Sequence, residues 1–552
     1  MGRHAMGATP QDAGRADRTP RRRGRRGRWL VLGVVVALAV AGGVAWAATR
    51  DGGPDCSSRT PITIAADPAM TTALKAVAPT VSADSCVDYT VEAVSGAGIA
   101  GELSTGRAPD LWVADSSRRA ADVTGQVRIP LDTIGSLASS PAVVVGKQLP
   151  ALSTWVDVMR LPGLRIGSPI TTSTGNAPIA GAVAAVEKGT LTGKQLTDAM
   201  TILAIQQGNI RSGDDSEESR LDLADSAGSP TVTSEQQFVD HERATPASDL
   251  TATVPADGTT FLDYPMIVTA GAGDRDAARD AGRRFAAAIA TPEGVGALRD
   301  AGYRPASREP LPGAGVGRVP AVTVRDTAAQ EKTLRQWAVV AEPIRTLVAM
   351  DVSGSMSEEV GTTTRAQLLV QAALAGNKLF PNNTEIGLWF FSTDKGGPGQ
   401  DWTEIAPIER EDFVRPDGTT QRDFLNSRAE NFTRYIGGGT GLYDTTLAAY
   451  RQVLDSYDPN YSNSIIVLTD GRNDDPDSIS LDELSRRIRA LADPARPVEI
   501  VTIGISDDVD TAALKQISAL SPGGTSYVAR DPGDIANVLV NAVAARVTAA
   551  GR

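Results

Sequence analysis

The segment Thr346–Met356, TLVAMDVSGSM, constrains the fold of this chain more than any other stretch. Its opening apolar run is typical of a buried strand in a parallel sheet. The strand leads directly into a glycine-containing turn on which Asp351, Ser353 and Ser355 alternate. Side chains that follow such a strand lie at the carboxyl edge of the sheet, where open α/β sheets bind ligands.

Two later segments can complete a site with this turn. The run 464–470, SIIVLTD, is a second apolar strand, and the loop 436–441, IGGGTG, opens a helix. Parallel strands would bring together Asp351, Ser353, Ser355, Thr440 and Asp470. Two carboxylates and three hydroxyls, with no His or Cys, suit Mg²⁺, Mn²⁺ or Ca²⁺ rather than zinc, and Mg²⁺ is the expected ion.

This arrangement resembles the von Willebrand factor type A domain. The metal-ion-dependent adhesion site of that family reads D-x-S-x-S, then a distant Thr, then a distant Asp that Gly often follows, and all five positions match. The resemblance covers roughly Ile344–Val547. It implies a doubly wound, Rossmann-like α/β domain that binds a divalent cation and, through it, an acidic side chain of a protein partner. A retained fold whose site no longer binds metal is the alternative.

The N-terminus predicts a membrane anchor. Residues 1–28 hold nine arginines and two aspartates and predict a disordered basic tail. Residues 29–48 carry no charge, and twenty residues at ~1.5 Å each span a ~30 Å hydrocarbon core. The positive-inside rule then places the tail in the cytoplasm and the chain after Thr49 outside, as a single-pass cell-membrane protein. A cleaved signal peptide ending near Ala45-Trp46-Ala47 is the alternative.

The part of the chain after the predicted anchor is acidic and contains both cysteines. The tail carries +7, which leaves −19 of the net −12 for the remainder. So acidic a chain argues against nucleic acid and anionic membrane surfaces as partners. The two cysteines, Cys56 and Cys86, both follow the predicted anchor and most simply form one disulfide.

The region 61–310 alternates strands and helices. Its segment 91–116, VEAVSGAGIAGELSTGRAPDLWVADS, has a strand that ends in Ser-Gly and opens a helix, followed by a Pro-Asp strand. It resembles the first lobe of bacterial extracellular solute-binding proteins. Segments 139–145, 164–168 and 259–268 resemble the crossing, second-lobe and returning strands of that family. The resemblance implies a two-lobed, periplasmic-binding-protein-like α/β domain.

In that family the ligand lies between the lobes. The resemblance makes these residues candidate contacts: Asp67, Ser95, Gly96, Ser140, Thr174, Gly175 and Asn176. Ser-Gly turns at helix N-termini offer N–H groups to an anionic or polar ligand. Ordinary helix capping is the alternative for each of them.

Two further features of this region lack a ligand pattern. The stretch 213–234 is acidic and poor in apolar residues, which predicts an exposed insertion. His241 is isolated and predicted to lie at the surface.

The predicted domain order follows from these segments. It is a basic cytoplasmic tail (1–28), a transmembrane helix (29–48), a linker (49–60), a solute-binding-protein-like domain (61–310), a linker with a connecting helix (311–343) and a type A domain (344–552).

The predicted function is a cell-surface, adhesion-type binding protein that recognises a protein partner in a metal-dependent way. An extracellular solute-binding receptor, associated with a transporter, is the alternative. An enzyme is not expected, because a metal-assisted hydrolase needs a general base near the metal and the two histidines, His4 and His241, lie outside the C-terminal domain. Type A domains also occur in cytoplasmic metal chelatases, which the predicted topology disfavours.

Overall fold

A computed structural model describes residues 56–96, 98–105, 108–210, 216–360, 362–378, 380–505 and 509–529. The predicted basic tail and the predicted membrane helix 29–48 lie outside these residues. Within the described ranges, no helix has both the length and the apolar character that a membrane crossing requires.

The N-terminal region is an alternation of short strands and helices. In chain order the elements are β1 (Thr60–Ala66), α1 (Pro68–Ala83), β2 (Val87–Ala93), α2 (Ile99–Ser104), β3 (Leu111–Val113), α3 (Ser117–Val127), β4 (Thr133–Ser136), β5 (Ala138–Gly146), α4 (Trp155–Met159), α5 (Ser173–Glu187), α6 (Gly193–Gly208), α7 (Glu217–Ala227), β6 (Thr231–Ser234), α8 (Glu235–Ala244), β7 (Thr251–Thr253), β8 (Phe261–Leu262), β9 (Pro265–Val268), α9 (Arg275–Ile289), α10 (Pro292–Asp300), β10 (Arg304–Pro305) and α11 (Thr327–Ala341).

These strands form two separate sheets, one for each lobe. The first has the order β2-β1-β3-β9-β4, in which β1 runs parallel to β2 and β3, and β9 runs antiparallel to β3 and β4. The second is built on β5, which pairs antiparallel with β6, β7, β8 and β10. β5 is buried along its whole length. The chain passes between the sheets from β4 to β5 and from β8 to β9, so the region is two-lobed.

The structure corrects four sequence predictions in this region, two of which concern strands. Segment 164–168 is no strand; it makes one isolated bridge, from Arg165 to Thr231. The returning strand 259–268 is broken into β8 and β9, with Tyr264 between them at a φ of 39°. A non-glycine residue in the left-handed region interrupts a strand.

The acidic stretch 213–234 is not an exposed insertion over its described part. It forms α7, whose Leu221 and Ala224 are buried three residues apart, and the fully buried β6. The high charge of the exposed face of α7 concealed this apolar spacing. His241 is also buried, with its ring nitrogens 3.8 Å from Asp222 and from Asp225.

The connecting helix α11 packs on the N-terminal domain. Its Leu334 and Trp337 are buried in the main apolar core of that domain. Gln330 on the same helix donates a hydrogen bond from Nε2 to Asn176 Oδ1 at 2.8 Å. The helix is therefore part of the N-terminal domain rather than a free spacer.

The C-terminal domain begins directly after this helix. Its elements are β11 (Ile344–Asp351), β12 (Glu359–Val360), β13 (Thr363–Thr364), α12 (Arg365–Asn377), β14 (Glu385–Phe391), β15 (Trp402–Arg410), α13 (Gln421–Glu430), α14 (Leu442–Asp455), β16 (Ser462–Thr469), α15 (Leu481–Leu491), β17 (Val498–Ile505), α16 (Thr511–Ser518) and β18 (Thr525–Ala529), with short 3₁₀ turns at Gly354–Ser357 and Phe432–Tyr435.

One six-stranded sheet organises this domain. Its order is β15-β14-β11-β16-β17-β18; all neighbouring pairs are parallel except that the edge strand β15 runs antiparallel to β14. Along β11, Met350 enters one apolar core while Leu347 and Ala349 enter another on the opposite face. Helices cover both faces, so the sheet is doubly wound.

Cys56 and Cys86 form a disulfide, with Cα atoms 5.5 Å apart. The two cysteines precede β1 and β2, which are parallel neighbours, and Thr60 N–H donates to Cys86 O at 2.9 Å beside the bridge. The bridge therefore links the starting edges of two paired strands.

We predict that losing this bridge destabilises the N-terminal domain. Closing a loop with a sequence separation of 30 residues contributes about 3–4 kcal/mol in the chain-entropy model. Thermal unfolding of the protein with both cysteines changed to serine should show a lower Tm than the oxidised wild type. Reductant should lower the Tm of the wild type only. Equal melting temperatures in all four samples would contradict the prediction.

Candidate metal site and interlobe cleft

The parallel pairing of β11 with β16 creates the candidate metal site. Met350 pairs with Leu468, so Asp351 at the end of β11 and Asp470 just after β16 leave the sheet at the same edge. Ser355 Oγ donates a hydrogen bond to Asp470 Oδ1 at 2.9 Å. Two parts of the chain more than 100 residues apart thus meet in one hydrogen bond.

The turn after β11 is held by its own polar groups. Ser353 N–H donates to Asp351 Oδ1 at 2.8 Å, and the hydroxyl oxygens of Ser353 and Ser355 lie 3.0 Å apart. Gly354 N–H donates to Gly438 O at 2.9 Å, which ties this turn to the glycine-rich loop. The hydroxyls are therefore ordered around Asp351.

Thr440 approaches the same point from the glycine-rich loop. A Cβ placed on Gly471 would lie 3.7 Å from Thr440 Oγ1 and 3.9 Å from Ser355 Oγ, so both hydroxyls border the Cα of Gly471. The backbone of Thr440 exchanges two hydrogen bonds of 2.9 Å with Asp474, which fixes the loop beside β16. The structure thus gathers all five predicted residues at one sheet edge.

The electrostatics of this site favour a bound cation. Asp351 is fully buried and Asp470 is 1% exposed. Burial, with the neighbouring charge of Asp470, raises the pKa of Asp351 to about 7. Burial also raises the pKa of Asp470, against the hydrogen bond from Ser355 and the charge of Arg365. Buried like charges are costly, and a set of oxygen donors alone suits Mg²⁺, Mn²⁺ or Ca²⁺.

Two residues at the site escaped the sequence prediction. Thr469 Oγ1 donates to Asp351 Oδ2 at 2.6 Å. Arg365 Nη1 lies 3.2 Å from Asp470 Oδ2 and 2.9 Å from Glu358 Oε2. The position of Thr469, at the end of β16 and next to Asp470, could have identified it, whereas nothing in the sequence spacing marks Arg365.

A second acidic group borders the glycine-rich loop. Carboxylate oxygens of Asp401, Asp444 and Asp475 all lie within 4.8 Å of one another. Asp401 accepts a hydrogen bond from Asp394 N–H, and Asp444 accepts one from Ile479 N–H, each at 3.0 Å. Burial, with a smaller effect of Asp475, raises the pKa of Asp401 to about 6. These carboxylates thus serve as backbone acceptors beside the loop.

The candidate solute contacts of the first lobe are engaged in local hydrogen bonds. Asp67 caps α1 by accepting from Ala69 N–H at 3.2 Å. Ser95 Oγ accepts from Gly98 N–H at 3.1 Å. Gly96 O accepts from Arg119 Nη2 at 2.8 Å. The Ser-Gly turn therefore uses polar groups that the sequence analysis assigned to a ligand.

The candidate solute contacts of the second lobe are also engaged in hydrogen bonds within the protein. Ser140 is buried and accepts from Gln236 N–H at 3.1 Å, and Thr174 Oγ1 donates to Glu217 Oε1 at 2.7 Å. Gly175 N–H donates to Thr172 Oγ1 at 3.1 Å. Asn176 Nδ2 donates to the backbone of the preceding loop, while its Oδ1 accepts the bond from α11.

A cavity of about 310 Å³ nevertheless lies among these elements. Its lining includes Ser116 and Asp263, Ser173 and Asn176, and Gln330 of α11. Ser116 Oγ and Ser173 Oγ lie 2.7 Å apart and join the helices α3 and α5 of the two lobes. The cavity is therefore bordered by both lobes and by the connecting helix.

Two family models match the chain. Residues 62–304 match the bacterial extracellular solute-binding proteins, and residues 347–540 match the von Willebrand factor type A domain. The chain is a solute-binding domain followed by a type A domain. This confirms both resemblances and the α/β fold class inferred from the sequence. Type A domains commonly hold a divalent cation at the motif found here.

Individual relatives are distant. An uncharacterized protein of Mycobacterium tuberculosis is 25% identical over 91% of this chain and 80% of its own length. The sulfate-binding protein SubI of Mycobacterium tuberculosis is 19% identical and covers 45% of this chain and 88% of its own, with a TM-score of 0.36. A von Willebrand factor type A protein from Catenulispora acidiphila is 19% identical, covers 37% of this chain and 42% of its own, and has a TM-score of 0.29.

We predict that Asp351→Asn removes the metal response without unfolding the domain. Asparagine keeps the size of the side chain but removes one of two buried charges, so the metal-free variant should melt no lower than the metal-free wild type. Saturating Mg²⁺ should stabilise only the wild type, by about 2.7 kcal/mol at a concentration 100 times Kd. Differential scanning fluorimetry with EDTA or Mg²⁺ measures both effects.

The matched control is Asp477→Asn, which removes an equal charge from an exposed position in the loop after β16. It should keep the full Mg²⁺ response. A wild type whose Tm does not change with millimolar Mg²⁺, Mn²⁺ or Ca²⁺ would mean that the site holds no cation.

We predict that Arg365→Gln makes the domain dependent on the cation. Removing one partner of a buried ion pair costs roughly 3–5 kcal/mol, because Asp470 keeps its charge without compensation. The Tm in EDTA should therefore fall, and Mg²⁺ should recover much of the loss. The exposed Arg472→Gln is the control and should match the wild type in both conditions. An equal loss with and without Mg²⁺ would assign Arg365 a packing role alone.

Proposed function

We propose that this chain is an extracytoplasmic, adhesion-type binding protein. Its C-terminal domain holds a divalent cation, Mg²⁺ first among the candidates, and recognises an acidic side chain of a protein partner through it. The observation that carries the proposal is the assembly of five oxygen-bearing side chains at one sheet edge, of which two are carboxylates.

The charge of the site supports recognition of an acidic group. Asp351 and Asp470 would be the anionic residues that hold the cation, and Arg365 already compensates part of the charge of Asp470. Ser353, Ser355 and Thr440 would add neutral oxygens. A divalent cation held by this set supplies a positive centre that accepts a carboxylate from outside.

We propose binding rather than catalysis at this site. A hydrolase that uses a metal-bound water needs a general base beside it. His241 belongs to the N-terminal domain, where it is buried near Asp222 and Asp225. The other ionisable groups described around the site hold its turn, form ion pairs or accept hydrogen bonds from the backbone.

We also propose that residues 29–48 anchor the protein, with the N-terminus in the cytoplasm and both domains outside. The disulfide between Cys56 and Cys86 supports an oxidising compartment for the part that follows.

A solute receptor is the second candidate function, and the cavity between the lobes favours it. The cavity of about 310 Å³ is of the size that a small solute needs. A direct hydrogen bond between Ser116 and Ser173 connects the lobes at its border. In this reading the N-terminal domain binds a solute, and the C-terminal domain binds a protein partner.

We predict that partner capture depends on the cation. The full chain should retain a protein from the cell surface in Mg²⁺ and release it in EDTA, and Asp351→Asn should fail to retain it in either buffer. The control Asp477→Asn should behave as the wild type. Free acetate at high concentration should compete, because it offers the same carboxylate. Capture that is equal in EDTA and Mg²⁺ would remove the proposed mechanism.

A further inference from the structure

Three carboxylates from the two lobes lie near one another at the junction of the lobes. Asp67 follows β1 and Asp115 follows β3 in the first lobe, while Glu217 lies in the first turn of α7 in the second. Burial raises the pKa of Asp115 to about 6, and the charge of Glu217 adds to this rise. Burial and Glu217 also raise the pKa of Asp67. The three negative charges therefore act on one another across the gap.

Hydrogen bonds hold these carboxylates at the junction of the lobes. Ser116 Oγ lies 3.3 Å from Asp115 Oδ1 and 2.7 Å from Ser173 Oγ of the other lobe. The residue after Ser173, Thr174, donates to Glu217 at 2.7 Å. A continuous polar connection thus runs from Asp115 in one lobe to Glu217 in the other.

Two tyrosines lie beside this acidic group. Tyr264 and Tyr303 are 5% and 1% exposed, and their rings meet edge to face with centroids 5.0 Å apart. Neither hydroxyl hydrogen-bonds to another group among the residues that the structure describes. Burial raises the pKa of both phenols well above their ordinary value, and Asp67, Asp115 and Glu217 contribute to both shifts. The two phenols therefore place aromatic rings and hydroxyl groups beside the three carboxylates.

Charges of both signs lie around the gap. Asp263, Arg118 and Arg308 line the cavity, and Arg118 lies 3.2 Å from Asp122, so Asp67, Asp115 and Glu217 leave an excess of negative charge. Arg119 is the cation that offsets part of the charge of Asp115, and the same guanidinium also donates to Gly96 O. The Ser-Gly turn that suggested an anion site has no free amide at Gly98, because that N–H is bonded to Ser95. An anionic solute would meet three carboxylates, whereas a cationic one would neutralise them.

The spacing of the carboxylates favours a cation larger than a bare metal ion. Over the described part of the chain, only Asp401, Asp444 and Asp475 bring three acidic groups within 4.8 Å of one another. At least one pair of the interlobe carboxylates is therefore more than 4.8 Å apart, which does not suit three ligands of one metal ion. Carboxylates combined with aromatic rings are the usual receptor for an organic ammonium group.

We propose that the gap between the lobes binds a small organic cation that carries an ammonium or guanidinium group. Asp67, Asp115 and Glu217 supply the opposite charge, and Tyr264 and Tyr303 supply aromatic contact and hydroxyl groups. The proposal rests on the solute-receptor candidate above and is independent of the metal site.

The test uses the full-length protein in EDTA, which keeps the metal site out of the measurement. Choline, putrescine and arginine are the cationic probes; sulfate and molybdate are the anionic ones. We expect at least one cationic probe, and neither oxyanion, to raise the Tm and to give a saturable calorimetric titration. Asp115→Asn and Tyr264→Phe should each weaken that binding at least tenfold.

The matched control is Asp276→Asn on α9, where the carboxylate is 96% exposed. It removes an equal charge from the same domain and should leave binding unchanged. Without ligand, Asp115→Asn should melt no lower than the wild type, since it relieves repulsion among the carboxylates.

The outcomes separate this inference from the candidate function on which it rests. Binding of sulfate or molybdate instead of the cationic probes would overturn the inference and leave a solute receptor of another class. No response to any probe would count against both. Equal weakening by Asp115→Asn and Asp276→Asn would show a nonspecific charge effect and also overturn it, as would a large drop in the Tm of unliganded Asp115→Asn.

Discussion

The parallel pairing of β11 with β16 is the constraint on which the C-terminal domain depends. It fixes where the two strands end along the sheet, where Asp351 is the last residue of β11 and Asp470 directly follows β16. A different register would move one carboxylate away from the sheet edge and break the hydrogen bond from Ser355 to Asp470. The same pairing forces two carboxylates together in a buried place, which explains the raised pKa of Asp351.

The neighbouring polar groups make that arrangement tolerable in the absence of a metal ion. Ser353 and Thr469 donate to Asp351, and Ser355 and Arg365 donate to Asp470. Neutral donors satisfy the oxygen atoms but cancel little charge, so the site remains attractive to a cation. Arg365 is the exception, since its positive charge lies against Asp470. The proposed affinity for a cation would thus depend on the balance between buried repulsion and this one ion pair.

Both domains place carboxylates at or just past the ends of strands, but the groups around those carboxylates differ. In both, carboxylates follow parallel strands at the carboxyl edge of a sheet. In the C-terminal domain the acidic residues are accompanied by hydroxyls within about one hydrogen-bond length, which is the spacing of a metal site. At the junction of the lobes of the N-terminal domain, the carboxylates are accompanied instead by the aromatic rings of Tyr264 and Tyr303. This difference in neighbours is the reason for proposing an organic cation there rather than a metal ion.

The sequence by itself determined the sheet of the C-terminal domain and the five residues of its candidate metal site. Short apolar runs bounded by turn residues are typical of buried strands, and the motif residues follow those runs directly, so local order fixes their position. The two-lobed N-terminal domain was also predictable as a pattern of alternating elements. The acidic stretch at 213–234 was not, because a helix with one buried stripe and a charged outer face resembles an exposed loop in composition.

Only the tertiary structure decided which polar groups meet. Arg365 contacts Asp470 and Tyr303 meets Tyr264, across separations that no local pattern encodes. The same holds for Glu217, whose charge acts on Asp115 in the other lobe. Residues such as Ser140 and Asn176 looked like ligand contacts in the sequence but are used by α8 and α11 in the fold. A side chain's sequence position specifies the edge or helix from which it projects, whereas its partner depends on how distant elements pack.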